Sequence, residues 1–332
     1  MAEARPASGE DSLIARYFKP LATDPGAFAL DDDAAALKAT GDDIVVTTDA
    51  IVEGVHFLPD DPPDTLARKA LRVNLSDIAA KGATPAGFVL TLALRKVDEA
   101  WLGSFAAALG EDARHYGCPL LGGDTVSTPG PVMISITAFG RVAPDRMVHR
   151  AGARPGDRIV VTGTIGDAAL GLDVLKSGPV SAALGSDIAA REMLAARYRV
   201  PQPRHRLADV VRDFASSAMD VSDGLAGDLT KLCKASGVSA IVKVADIPLS
   251  APAAGLLARA VVGFEAIVSG GDDYEILCTI PDGRLTAFLR AAQVAAIPVT
   301  TIGVVVPGNA APRFVDREGR ELALQRLSYS HF

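Results

Sequence analysis

Residues 151–162 read Ala-Gly-Ala-Arg-Pro-Gly-Asp-Arg-Ile-Val-Val-Thr, and they mark where the chain is divided. The first part of this stretch combines Gly, Pro and charge, a composition typical of a turn. The last part is rich in β-branched residues and is typical of a strand. The stretch therefore predicts two domains, one at residues 1–150 and the other at residues 151–332.

Helical and strand patterns alternate on both sides of this join. In the first part, strands are predicted at 43–48, 86–94 and 132–139, and helices at 62–81 and 99–116. The second part alternates in the same way, which predicts α/β layers in both domains. The pattern leaves open whether the sheets are parallel or mixed.

Composition narrows the class of protein. The chain has 332 residues, is 49% hydrophobic and carries a net charge of −7. An acidic protein lacks the basic face that nucleic-acid binding needs. No apolar run approaches the roughly 20 residues that span a bilayer, so we expect no membrane partner and a cytoplasmic location. The three cysteines are widely spaced, which favours buried reduced thiols over a metal site.

Aspartates recur where the predicted elements end, with few histidines or cysteines beside them. Carboxylates without soft ligands suit a hard cation such as Mg²⁺, which bridges proteins to phosphates. The pattern predicts phosphate chemistry that depends on metal ions. The aspartates are Asp31, Asp32, Asp33, Asp49, Asp77, Asp124, Asp220, Asp223, Asp272 and Asp273.

Each motif also has a purely structural interpretation. Asp31–Asp33 could form an acidic turn or a helix N-cap, and Asp49 could simply end a strand. Gly122-Gly123-Asp124 could let a ligand approach the backbone or could form an ordinary type II turn. Ser222 or Asp223 could cap a helix. The turn at 163–167 is typical of a phosphate cradle, but it lacks the lysine of a P-loop.

Taken in order, several blocks resemble the thiamine-monophosphate kinase family over nearly the whole chain. Some blocks are shared with aminoimidazole ribonucleotide synthetase and selenophosphate synthetase, whereas the His56 block, the Ser-Gly-Gly-Asp-Asp-Tyr-Glu block and the aromatic tail favour the thiamine enzyme. The blocks begin at Gly9, Thr48, Ala70, Gly122, Asp220, Ser269 and Ser330.

The resemblance implies transfer of the ATP γ-phosphoryl group to thiamine monophosphate. It implies an α/β fold of the α+β type, in which an N-terminal mixed sheet forms a homodimer and binds ATP and Mg²⁺, and a C-terminal α/β domain completes the nucleotide and substrate sites. By motif it implies Mg²⁺ ligands at Asp33, Thr47, Thr48, Asp49, Asp77, Asp124, Asp220 and Asp223. It implies nucleotide contacts at Gly123, Asp124, Arg150 and Ser222, and substrate contacts at His56, Asp272 and Tyr329.

The implied reaction requires neither a covalent intermediate nor a general base, because the attacking group is a phosphate already ionised near neutral pH. Several Mg²⁺ ions would offset the repulsion between the two anions. Two alternatives stay open from the sequence. One is another ATP-dependent synthetase of the same superfamily, and the other is a non-catalytic dimer that binds nucleotide or divalent cations.

Overall fold

The computed structural model describes residues 12–32 and 34–328. The chain folds into two compact units. The first comprises residues up to Leu75 and those from Thr84 to Pro144, and the second comprises Ser76–Ala83 and the chain from Asp145 onward. The boundary between the two units, directly after Pro144, lies shortly before the predicted join at 150–151. That Ser76–Ala83 belongs to the second unit was not predicted. Asp77 therefore lies in the second unit and not in the N-terminal one.

The first unit contains a four-stranded mixed sheet. Its strand order is β1-β4-β2-β3, in which only β2 and β3 run parallel. The strands are β1 (Asp43–Val52), β2 (Thr84–Leu94), β3 (Leu120–Ser127) and β4 (Met133–Val142). This is the mixed sheet that the resemblance implied.

Two long helices accompany this sheet, α1 (Pro63–Ala80) and α2 (Glu99–Tyr116). The ends of α2 follow from its sequence. The Asp98 side chain accepts hydrogen bonds from two backbone N–H groups of the first turn, and Gly117, at φ 61°, closes the helix in the left-handed conformation. The last turn of α1 belongs to the second unit.

The second unit contains a six-stranded sheet in the order β10-β7-β9-β5-β8-β6, with only β10 and β7 parallel. Both faces are covered: Ile159 and Val161 pack in one apolar cluster and Val160 in another. This explains why the strands have continuous apolar sequences. The strands are β5 (Arg158–Thr162), β6 (Ser217–Asp220), β7 (Ser239–Lys243), β8 (Ile276–Ile280), β9 (Val299–Val306) and β10 (Arg313–Val315).

Helices cover this sheet and contain most of the other residues of the second unit. They are α3 (Asp167–Leu175), α4 (Pro179–Leu184), α5 (Ile188–Arg199), α6 (Ala208–Phe214), α7 (Leu225–Ser236), α8 (Ala251–Ala258), α9 (Phe264–Val268) and α10 (Leu285–Val294).

The cysteines are buried free thiols, as predicted. Burial raises the pKa of Cys118 and of Cys278 to about 12, and that of Cys233 to about 11, so these thiols stay protonated near neutral pH. Within residues 12–32 and 34–328, none of the helices has the length and apolar character needed to cross a membrane.

Candidate active site

The acidic loop after β6 is built around a carboxylate that the sequence analysis did not single out. Asp220 ends β6 as predicted and is buried. Neither Ser222 nor Asp223 caps helix α7 with its side chain. Instead Asp228, in the first turn of α7, accepts hydrogen bonds from the backbone N–H groups of Ser222 and Asp223, both at 3.0 Å. The side chain of Asp228 on α7 therefore fixes the backbone of the loop at Ser222 and Asp223. Burial raises the pKa of Asp228.

Lys231 gives this loop a fixed positive charge. Its Nζ donates hydrogen bonds to Asp223 Oδ2 and, at 2.9 Å, to Asp228 Oδ1. Lys231 lies one turn beyond Asp228 on α7, a spacing at which opposite charges face each other. That spacing is the signal by which the sequence could have identified it.

A second lysine, Lys81, lies near three predicted site residues. Lys81 donates from Nζ to the Ala218 carbonyl oxygen at 2.8 Å. Burial lowers the pKa of Lys81, the charges of Asp220 and Asp77 act in the opposite direction, and Arg150 lowers the pKa further. Asp77, Asp220 and Arg150 therefore lie near one ammonium group within the second unit. Lys81, four residues after Asp77 and directly after the end of α1, was also missed by the sequence analysis.

The loop that carries Asp272 is joined to the acidic loop by backbone hydrogen bonds. The Asp272 N–H donates to the Ser222 carbonyl oxygen, and the Tyr274 N–H donates to that of Val221, both at 2.8 Å. Asp272 and Tyr274 have positive φ values of 71° and 51°. Side chains rarely adopt this conformation unless the surroundings impose it. The proposed substrate residue and the proposed nucleotide residue are thus held side by side.

The glycine turn before α3 does bind a carboxyl group, but that group belongs to the chain itself. Asp273 Oδ2 accepts from the Gly166 N–H at 2.7 Å, and its Oδ1 accepts from the Ala168 N–H at 3.3 Å. Burial raises the pKa of Asp273 to about 8, against the lowering effect of the Gly166 hydrogen bond. Since Asp273 occupies these donors, the turn at 163–167 has a structural explanation without phosphate.

In the first unit, the structure corrects the expectation that Asp49 and Asp124 follow strand ends. Both lie inside strands, Asp49 in β1 and Asp124 in β3. These are edge strands, where polar and exposed side chains are readily accommodated. Thr47 and Thr48 lie beside Asp49 on β1, and the Thr48 hydroxyl accepts from the Thr137 hydroxyl at 3.0 Å.

The sheet register separates Asp49 from Asp124. Asp49 pairs with Ile136 on β4, Ile136 pairs with Leu90 on β2, and Leu90 pairs with Gly123 on β3. Asp49 and Gly123 thus stand at opposite ends of one row, three strand spacings or about 14 Å apart. This is too far for Asp49 and Asp124 of one copy to hold the same ion.

A cavity of about 340 Å³ lies beside β3. Asp32, Gly122, Gly123 and Asp124 line it together with an apolar wall that includes Phe18. Gly123 has a structural reason to be glycine, because a Cβ there would lie 2.0 Å from the Leu90 carbonyl oxygen. Asp33 and Tyr329, both predicted site residues, lie outside the described residues.

His56 follows β1 and is half-buried. Its Nδ1 accepts a hydrogen bond from the Val52 N–H at 3.1 Å. In the neutral ring this fixes the proton on Nε2, which makes Nε2 a donor. The buried Lys69 ammonium donates to the His56 carbonyl oxygen at 2.9 Å, which holds the backbone of this residue in place.

The donor set fits Mg²⁺ in its chemistry, because it consists of carboxylate and hydroxyl oxygens. Over the described part of the chain, no three acidic, His or Cys side chains come close enough together to hold an ion by themselves. Magnesium commonly keeps several waters and binds through one or two carboxylates together with substrate phosphates.

Comparisons with known proteins define the class. The family model for the N-terminal domain of AIR synthase related proteins matches residues 31–142, and that for their C-terminal domain matches residues 154–314. The thiamine-monophosphate kinase of Caulobacter vibrioides is 42% identical over 96% of this chain and 89% of its own length. That of Escherichia coli K12 is 40% identical over 98% and 99%. The chain belongs to the thiamine-monophosphate kinase family, which confirms the resemblance.

Solved structures agree with this assignment. Thiamine-monophosphate kinase from Stenotrophomonas maltophilia K279a superposes with a TM-score of 0.83 at 35% identity, covering 95% of this chain and 98% of that one. AaThiL complexed with AMPPCP and TMP superposes with a TM-score of 0.75 at 27% identity over the full length of both chains.

Proposed function

We propose that this protein transfers the γ-phosphoryl group of ATP to the phosphate of thiamine monophosphate, giving thiamine diphosphate and ADP. One observation carries the proposal. The acidic loop at Asp220–Asp223 and the loop of Asp272 are hydrogen-bonded to each other, in a chain related over its full length to a protein that binds AMPPCP and TMP. AMPPCP stands for ATP, with a methylene group in place of the β–γ bridging oxygen.

The proposed transfer needs alignment and charge neutralisation more than acid–base chemistry. Attacking and leaving groups are both phosphate oxygens, so the main barrier is repulsion between two anions. When bound, Mg²⁺ neutralises charge on these oxygens. Arg150, which lies near Asp77 and Asp220, adds fixed positive charge beside the same carboxylates.

We assign residues of both units to the ligands as follows. The Mg²⁺ ligands are Asp33, Thr47, Thr48, Asp49, Asp77, Asp124, Asp220 and Asp223; the nucleotide contacts are Gly123, Asp124, Arg150 and Ser222; the substrate contacts are His56, Asp272 and Tyr329.

The tautomer of His56 supports its assignment to the substrate phosphate. With Nδ1 occupied by the Val52 N–H, the Nε2–H can donate to an anionic oxygen without a change of protonation state. The neutral ring then donates through Nε2, so a contact to an anionic oxygen requires no positive charge on the ring.

The proposed site needs a second copy of the chain. Asp49 and Asp124 occupy opposite edge strands, so one copy cannot bring them together. The sheet also exposes an apolar face: Ile44, Val46 and Val126 are 41%, 57% and 42% exposed and, by register, project from the same side. Pairing of two such faces in a homodimer would cover these apolar side chains. The cytoplasmic location stays a prediction.

Phosphorus NMR of the reaction products tests the proposed function. The protein is incubated with ATP, Mg²⁺ and thiamine monophosphate. We expect resonances of a new diphosphate ester and of ADP in equal amounts. ADP with free phosphate would instead indicate another synthetase of the superfamily, and an absence of turnover would favour a nucleotide-binding or cation-binding dimer.

A further inference from the structure

We propose that Glu275, which touches none of the proposed ligands, is a positioning residue that holds the Asp272 loop and the acidic loop in register for phosphoryl transfer. This inference rests on the proposed function for its catalytic meaning, whereas its structural part can be measured separately.

Glu275 is fully buried and its carboxylate is saturated with donors. Oε2 accepts from the Thr162 hydroxyl at 2.5 Å and from Arg204 Nε at 2.6 Å. Oε1 accepts from Arg197 Nη2 at 2.8 Å and from Arg204 Nη2. Two arginines and a hydroxyl therefore fix the side chain in a single orientation.

The backbone at Gly163 lies so close to this cluster that a side chain there would collide with it. Gly163 adopts φ +56°, and a Cβ at this position would lie 2.1 Å from Glu275 Oε1 and 2.6 Å from Arg204 Nη2. The glycine that suggested a phosphate turn is thus required by the carboxylate–arginine cluster.

The cluster is connected directly to both loops. The Glu275 carbonyl oxygen accepts from the Val221 N–H at 2.8 Å, and the Tyr274 N–H returns a hydrogen bond to the Val221 carbonyl oxygen. Arg197 Nη2 also donates to the Asp273 carbonyl oxygen at 3.3 Å. Asp272 directly precedes Asp273, whose carboxyl group is held at the start of α3, so both anchors lie within three residues of Asp272.

Stability alone does not account for such a cluster. A buried carboxylate with arginines is often replaceable by apolar residues without loss of stability. The Nε–H of Arg197 is buried and has no acceptor among the described residues, which is unfavourable for folding. The left-handed conformations of Asp272 and Tyr274 likewise need an external restraint, which this cluster supplies.

The test compares Glu275→Gln with a matched control, Asp112→Asn. Asp112 is also buried and also pairs with two arginines, Arg68 and Arg72, but it belongs to the first unit. We expect Glu275→Gln to lower kcat at least tenfold more than Asp112→Asn does. Hydrogen exchange should accelerate by a similar factor in peptides carrying the amides of Val221, Asp272 and Tyr274, and stay unchanged in β2 and β4.

Arg204→Lys serves as a milder variant should Glu275→Gln fail to fold, because it keeps the charge and loses the two-pronged contact. It should show the same pattern at reduced size. Unchanged exchange at the three amides, or equal kcat losses in Glu275→Gln and Asp112→Asn, would overturn the inference. If the wild-type protein does not phosphorylate thiamine monophosphate yet the variants lose protection at these amides, the proposed function fails and the positioning role stands.

Discussion

Asp49 and Asp124 lie on the two edge strands of one four-stranded sheet, with strands β4 and β2 between them. Both are proposed to bind Mg²⁺, and the register keeps them about 14 Å apart in one copy. We therefore propose that the active site is shared between two copies, each supplying one edge.

This arrangement predicts complementation between two inactive variants. Asp49→Asn and Asp124→Asn should each be inactive as homodimers. In a mixed dimer, one of the two sites carries both substitutions and the other carries neither. Random pairing then restores about one quarter of wild-type activity, measured as ADP release after co-expression.

The matched control pairs Asp49→Asn with Thr48→Val. Both residues lie on β1, so each site of the mixed dimer contains one damaged strand and no activity is regained. Recovery with this pair, or none with Asp49→Asn and Asp124→Asn, would show that the two aspartates do not meet across a dimer.

Replacing Asp77 with Asn tests the assignment of this carboxylate to metal. The change preserves size and removes a charge that faces Lys81 and Asp220. We expect turnover at limiting Mg²⁺ to fall about 100-fold, comparable to the loss of one essential electrostatic contact. Unfolding by denaturant should show that the fold survives. Asp282→Asn, an exposed partner of Arg158, is the control and should stay active. A folded Asp77→Asn protein with near-normal activity contradicts the assignment.

Lys231 should compete with divalent ions for Asp223, because its ammonium already binds that carboxylate. Lys231→Met removes the competitor, so Mn²⁺ should bind several-fold more tightly in calorimetric titrations. Lys234→Met, in the last turn of the same helix, should bind Mn²⁺ as the wild type does. Equal or weaker Mn²⁺ binding by Lys231→Met would mean that the lysine does not mask the site.

The pKa of Asp273 predicts a pH dependence of stability. Burial raises this pKa to about 8, whereas an unfolded aspartate titrates near 3.9. Between these values the folded state retains a proton that the unfolded state releases, so the free energy of unfolding falls as pH rises from about 4 to about 8. Asp273→Asn cannot ionise and should give a flatter profile. Denaturant midpoints measured at intervals across this range make the comparison, and parallel profiles for the two proteins would rule out the raised pKa.

Elements with strong local signals could be predicted from the sequence. Helix α2 has an N-cap at Asp98 and a closing glycine at Gly117, and strand β5 is a β-branched run after a turn. Both signals lie within a few residues, so no knowledge of distant contacts is needed.

The contacts within the candidate site were not predictable in the same way. Asp273 binds the N–H groups of Gly166 and Ala168, far away in the sequence, and Glu275 meets Arg197 and Arg204 only in the folded unit. Asp49 and Asp124 were predicted to follow strand ends because polar residues interrupt the apolar pattern of a strand. Both lie inside edge strands, which tolerate polar residues. Lys81 and Lys231 lie at helical spacing from acidic residues, and that local signal was available.

The most direct test of the central claim follows the γ-phosphoryl group itself. ATP labelled with ¹⁸O on its γ-phosphoryl oxygens is incubated with the protein, Mg²⁺ and thiamine monophosphate, and the products are analysed by mass spectrometry. Direct transfer predicts thiamine diphosphate whose terminal phosphoryl group carries the three labelled oxygens. Label found in free phosphate, with unlabelled or absent thiamine diphosphate, would contradict the account.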